Sequence, residues 1–136
     1  MGTKVDLVGL AARAWTAREN AYAKYSNFAV GAALATSSGE IFTGCNVENV
    51  SFGLTICAER VAVSTAIAAG HREFDAIAVA AETVDPVVPC GACRQFLAEF
   101  NPALRICCVG RGGGSRTVLL SDLLPSPFSS FDESMR

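Results

Sequence analysis

The chain has 136 residues, 51% hydrophobic and 18% charged, with a formal net charge of −2 at pH 7. That length suits a single domain with its own core, expected over 1–136 with the core at about 4–128 and a tail at 129–136. The slight acidity speaks against a nucleic-acid partner, which basic patches would announce. No opening stretch joins a basic start to a long apolar run, and no apolar run approaches the ~20 residues that span a bilayer. The expected protein is soluble and cytoplasmic, with no membrane partner, and its six cysteines are expected as reduced thiols.

Val5, Val8, Leu10, Ala12 and Trp15 recur at helical spacing and predict a helix over 4–21. "FAVGAALATSSGEIFTGCNVE" then reads as two strands, 28–36 and 40–48, joined at Ser37-Ser38-Gly39. An alanine-rich helix over 57–69 closes on Gly70. "FDAIAVAAET" predicts a strand apolar on both faces, as at the centre of a covered sheet. A third helix over 91–100 precedes a fourth strand, "LRICCVG", and a fifth, "TVLLSDLL", that runs into a short helical end. Only about five residues, centred on "RGGGS", separate these last two strands. A parallel crossover needs a dozen or more, so the pair should be antiparallel. The glycine run lacks the pattern of a phosphate cradle. The whole pattern predicts an α/β fold of three layers, α/β/α, around a five-stranded mixed sheet.

"TICAERVAV" places Cys57 and Glu59 at one helix start, and "PCGACRQFLAEF" places Cys90 and Cys93 on one face of another. Helix N-termini favour thiolates. If both starts point at one spot, three thiolates converge there without a fourth protein ligand, which is the pattern of an open Zn2+ site. A C-x-x-C pair alone could equally be a redox pair or half of a structural zinc site. His71, in a polar loop, is expected to be solvated, and Cys45, Cys107 and Cys108 to pack within strands. Glu59 falls on a different side of its helix from Cys57, beside the metal, where it could move a proton between an activated water and a substrate nitrogen. Three thiolates exceed the charge of Zn2+ by one, and Arg60 and Arg94 are the available cations.

Through "C-A-E" and "P-C-G-A-C-R-Q" the chain resembles the zinc-dependent cytidine deaminase family. "YSNFAVGAAL", "FTGCNVEN", "GLTICAER" and "LLPSPF" extend the resemblance, over about residues 22–128, to its small three-cysteine branch. The resemblance implies zinc, one ion per chain, on Cys57, Cys90 and Cys93, with Glu59 as the proton shuttle. It implies that Asn46 and Glu48, on one face of their strand, receive ribose hydroxyls, and that Phe28 lies against the pyrimidine. Backbone of Thr55 and Ala58 would meet the base and its amino group, Arg60 would donate to the thiolates, and Gln95 would support the site from behind. Phe128 matches an aromatic inserted into a neighbouring subunit's site, within a homotetramer that shares its sites.

The implied reaction is hydrolytic deamination of cytidine and 2′-deoxycytidine, a step of pyrimidine salvage. Phe52 stands where the family often has tyrosine, Val88 where it often has serine, and the tail "SSFDESMR" matches nothing in the pattern. A deaminase of blasticidin-type nucleoside antibiotics would share the zinc motif, although Glu48 in "CNVEN" favours a plain ribose. Nucleic-acid editing by the same chemistry would be expected to use a histidine ligand and a helix between the last two strands.

Overall fold

Asp6 sets the start of the first helix. In this computed structural model, which describes residues 5–129, the Gly9 N–H donates to the Asp6 carboxylate at 3.1 Å, and α1 runs over Leu7–Ala17. One 3-10 turn, Arg18–Asn20, follows. The helix is shorter than the 4–21 span expected, because an aspartate cap that hydropathy does not reveal fixes its beginning; position 4 lies outside the described residues.

The remaining strands and α-helices are β1 Val30–Thr36, β2 Ile41–Cys45, α2 Ala58–Ala68, β3 Phe74–Ala81, α3 Gly91–Ala98, β4 Arg105–Val109, β5 Ser115–Leu119 and α4 Leu120–Leu123. The sheet has five strands in the order β2-β1-β3-β4-β5. β3 and β4 are parallel, with α3 in their crossover, and the other three pairings are antiparallel. The antiparallel β4–β5 pair is the one the short glycine loop required. β5 starts at Ser115, two residues before the expected Thr117, because pairing extends to Val109 opposite Ser115.

The first two strands are shorter than their β-prone runs. β1 starts at Val30 and β2 stops at Cys45 because the Asn46 side chain takes the place of the ladder. Its Oδ1 accepts the Val30 N–H at 2.9 Å and its Nδ2 donates to the Phe28 carbonyl at 2.8 Å. The main chain then turns away: the Val47 N–H donates to the Ile56 carbonyl and the Glu48 N–H to the Tyr22 carbonyl. Asn46 and Glu48 therefore lie in a loop rather than on the face of a strand.

Side-chain alternation along the strands builds two apolar layers. On one face Ala33, Ala35, Ala76, Ala78, Ala80 and Cys107 pack beneath Leu10 and Ala14 of α1. On the other, Ala32, Leu34, Ile77, Ile106 and Cys108 pack beneath Ala58, Ala62, Val63 and Ala66 of α2 and Leu97 of α3. The expected strand packing of Cys107 and Cys108 is thus met on opposite faces, and Cys45 is half-buried at the end of β2. Two glycines set how closely the helices approach. A Cβ at Gly31 would sit 2.0 Å from the Ala14 carbonyl of α1, and one at Gly44 would sit 2.5 Å from the Ala62 nitrogen and 2.6 Å from the Ala58 carbonyl of α2. The first turn of α2 is in this way seated directly on β2. No helix among the described residues is long and apolar enough to cross a membrane.

Candidate active site

Two helix starts converge on one point above the sheet. Cys57 is the N-cap residue of α2 and Cys90 that of α3, with Cys93 one turn further along α3. The three sulfur atoms lie within 4.8 Å of one another. Tetrahedral Zn–S bonds of about 2.3 Å place sulfurs roughly 3.8 Å apart, so the cluster needs only small adjustments to close on one ion. The donor set, three thiolates with no fourth protein ligand in the cluster, fits zinc with one coordination position open to solvent or substrate.

Charge around the cluster is arranged to stabilise thiolate. The Cys57 thiol is lowered to about 5, first by the Cys93 S–H that it accepts and then by Arg60. Cys93 is raised because it holds that shared proton and is buried. Arg60 lies one turn after Cys57; its Nη2 donates to Cys57 Sγ at 3.7 Å and to the Thr55 carbonyl at 3.2 Å. Arg94, the other cation expected to balance the thiolates, points elsewhere. It donates from Nε to the Pro89 carbonyl at 2.8 Å and from Nη1 to the Leu123 carbonyl at 3.2 Å. Arg60 and the two helix dipoles carry the compensation.

Glu59, in the first turn of α2, is 5% exposed. Burial raises its pKa above the ordinary carboxylate range, and the nearby Cys57 thiolate raises it further. A carboxyl held in this way takes up a proton more readily than a solvated one. Beside it opens a cavity of about 250 Å³ lined by Phe28, Asn46, Thr55, Cys57, Ala58, Glu59 and Cys90, seven of the residues singled out in the sequence; Glu48 and Phe128 do not line it. Val30, Val79, Val87 and Val88 complete its wall; none was singled out for this role, since an apolar residue at a strand end or in a loop reads as core.

Phe28, 40% exposed at the cavity mouth, follows the left-handed Asn27, φ 57°. Asparagine tolerates that conformation better than most residues.

Glu48 lines an adjoining cavity of about 420 Å³ with Tyr25, Ser26 and Phe52, and Thr55 belongs to both cavities. Its carboxylate accepts the Tyr25 N–H at 2.9 Å, the Ser26 N–H at 3.1 Å and the Ser26 hydroxyl. These bonds, the Ser26 hydroxyl foremost, hold its pKa below the ordinary value. Ser26 is a further polar group of this compartment that motif reading passed over, although it stands inside "YSNF".

Gln95 and Phe128 are brought together, though not to the sulfur cluster. Gln95 Nε2 donates to the Phe128 carbonyl at 2.8 Å and Gln95 Oε1 accepts the Phe128 N–H at 3.1 Å, while the Phe128 residue is 61% exposed. His71, expected to be solvated, instead lies 3.0 Å from the Glu40 carboxylate with its ring against Phe42. A larger groove of about 740 Å³ on the α1 side is lined mainly by apolar residues such as Val8, Trp15 and Val109, with Cys107 and Thr117 in its wall and no charged side chain among its described lining.

A buried carboxylate beside an open cluster of three cysteines, at paired helix starts over an α/β/α sheet, defines a zinc hydrolase site. The chain belongs to the cytidine and deoxycytidylate deaminase family: the model of the cytidine and deoxycytidylate deaminase zinc-binding region matches residues 7–109. A cytidine deaminase of Sporosarcina psychrophila is 45% identical over 129 residues, 94% of this chain and 95% of that protein. One of Halalkalibacterium halodurans is 49% identical over 117 residues, 85% and 89% of the two chains. The crystal structure of cytidine deaminase from Burkholderia pseudomallei superposes with a TM-score of 0.88 at 51% identity, covering 91% of this chain and all of the other. A blasticidin-S deaminase of Bacillus cereus matches only 54% of this chain, at 35% identity over 81 residues. The protein is a hydrolytic deaminase with a three-cysteine zinc site.

Proposed function

We propose that the chain deaminates cytidine and 2′-deoxycytidine to uridine and 2′-deoxyuridine with release of ammonia, in pyrimidine salvage. The observation that carries this reading is Glu59, a buried carboxyl of raised pKa on the wall of a cavity that also exposes Cys57 and Cys90. Zinc, when bound by Cys57, Cys90 and Cys93, supplies Lewis-acid activation of the attacking water. Glu59 takes one proton of that water and delivers it to N3 of the pyrimidine as the C4–O bond forms; it then takes the remaining hydroxyl proton and delivers it to the amine, which leaves as ammonia as the C4–N bond breaks. Phe28 presents an aromatic surface to the base, and the backbone of Thr55 and Ala58 meets its edge. Asn46 and Glu48 face the sugar, with Asn46 retaining one amide N–H beyond the bond that it donates to Phe28. Arg60 holds the thiolate of Cys57, and Gln95 holds the backbone of Phe128.

The chain acts as one domain, a reading supported by a single sheet that carries both helical layers. A homotetramer with shared sites is supported by the segment 47–56 beside the cavity. Val50, Phe52 and Leu54 in it are 75%, 74% and 65% exposed, an apolar surface of the kind that marks an interface. Phe128, exposed on a backbone held by Gln95, would serve a neighbouring subunit in such an assembly. Six unpaired thiols suit the reducing cytoplasm.

Cytidine incubated with the purified protein, followed by its ultraviolet spectrum beside the Glu59→Gln variant and with zinc measured on both, tests this reading. Conversion by the wild type, with Glu59→Gln retaining zinc and losing turnover, is expected. Deamination of blasticidin S with none of cytidine would overturn the substrate assignment in favour of the antibiotic-acting alternative.

A further inference from the structure

We infer that Arg94 is a positioning residue for the zinc ligand Cys90, a strut that fixes the Pro89–Cys90 peptide by tying it to the end of α4. The inference rests on reading Cys57, Cys90 and Cys93 as the metal site.

Cys90 is the exposed member of the three cysteines. Cys93 is fully buried within α3, and Cys57 receives the Arg60 guanidinium at 3.7 Å, whereas Cys90 is exposed and no hydrogen bond reaches its side chain from an arginine. It stands where an irregular segment, 82–90, enters α3, with the extended φ −66° and ψ 169° of a cap residue. The direction of its Cα–Cβ bond therefore depends on what fixes the preceding peptide plane. Pro89 restricts its own φ, but the plane between Pro89 and Cys90 still turns with the proline ψ. Arg94 Nε donates to the carbonyl of that peptide at 2.8 Å.

The other end of the guanidinium is anchored as well. Nη1 donates to the Leu123 carbonyl at 3.2 Å, at the last residue of α4. α4 is itself fixed to the core: Leu120 is fully buried and its N–H donates to the Leu104 carbonyl at 2.8 Å. A planar, forked donor can bridge two carbonyls that a lysine ammonium on a flexible stem cannot hold together in the same geometry. Gln95 makes a separate clasp one position on, to Phe128, so the two side chains can be tested independently. Partners that orient a ligand from behind commonly change metal affinity by about 10- to 100-fold when removed.

The experiment is chelator competition for zinc on full-length wild type, Arg94→Lys, Arg94→Met and Gln95→Ala, together with the absorption spectrum of each protein loaded with cobalt(II). The strut requires zinc affinity to fall about 10-fold or more in Arg94→Met, with altered thiolate-to-cobalt bands, and to fall less in Arg94→Lys. Gln95→Ala, which leaves both Arg94 bonds in place, keeps the wild-type affinity and spectrum. If Arg94 merely supported the fold, it would lower the thermal midpoints of metal-free and zinc-loaded protein alike and leave affinity unchanged. Unchanged affinity and spectra in a folded Arg94→Met protein would overturn the strut alone. A wild type that takes up no zinc would overturn the metal site and the strut with it.

Discussion

The two faces of the sheet are built from the same strands and do different work. Beneath α1 the contacts are small and apolar, alanines of β1 and β3 against Leu10 and Ala14, with a wide groove beside them whose described lining carries no charged side chain. Beneath α2 and α3 the same strands support helices whose first turns carry three thiols, a buried carboxyl and an arginine. The difference lies in which end of a helix meets the sheet's rim. α2 and α3 direct their N-termini at one point, so backbone N–H groups and dipoles gather where negative charge is needed. α1 contributes only its side. Chemistry follows helix ends, and packing alone does not create it.

Substitutions can push that contrast until it fails. The largest expected effect belongs to Glu59→Gln, which should lower kcat by at least about 10²- to 10⁴-fold with zinc content and thermal midpoint near wild type. Single-turnover assays on the metal-loaded variant would show it, and near-normal turnover would remove Glu59 from the mechanism. Leu10→Ala is its counterpart on the other face. That truncation should cost about 2–5 kcal/mol of stability and leave kcat of the folded fraction unchanged, as denaturant titration and assay below the transition would record.

The glycines sharpen the comparison at a smaller scale. Gly31→Ala forces a methyl against α1 and Gly44→Ala forces one against the first turn of α2. Each should cost about 1–3 kcal/mol, roughly 3 °C of Tm per kcal/mol in a chain of this size. Only Gly44→Ala should also weaken zinc retention, since α2 carries Cys57. Equal zinc affinity in both variants would show that the site tolerates movement of its helix.

The smallest effect is a pH response. Glu48 has its pKa lowered in the folded protein by the Ser26 hydroxyl and backbone. Its contribution is therefore complete above the unfolded value, about 4.3, and is lost as the pH falls through the lowered folded value. Hydrogen exchange at the Tyr25 and Ser26 amides should quicken on acidification relative to other loop amides. Glu48→Gln should abolish that relative change.

The three-cysteine cluster and the buried Glu59 beside it were legible because their spacing is local. Cys90 and Cys93 share a helical turn, and Glu59 follows Cys57 within another, so a one-dimensional pattern already fixes their relative directions. Local spacing also separates the two arginines. Arg60 comes three residues after Cys57 and reaches back along the same face. Arg94 lies about 100° round the helix from Cys93, which turns it towards Pro89 and α4. Proximity in sequence to a motif was the weaker guide. Val79 of the cavity wall was hidden because strand β3, apolar on both faces, gives no sign of where its covered stretch ends and the cavity begins. The early end of β2 was hidden for another reason: asparagine can imitate the backbone with its own amide, and a β-prone run does not record that exchange.

One feature of the two helix starts reaches beyond this site. Neither Cys57 nor Cys90 gives its helix the side-chain hydrogen bond that a serine or aspartate would supply at the same place. At these two positions, then, the most stable apo-protein and the working enzyme call for different amino acids. A library screened for heat resistance in the presence of a strong chelator should drift towards oxygen-bearing caps at 57 and 90 and yield sturdy, inert variants.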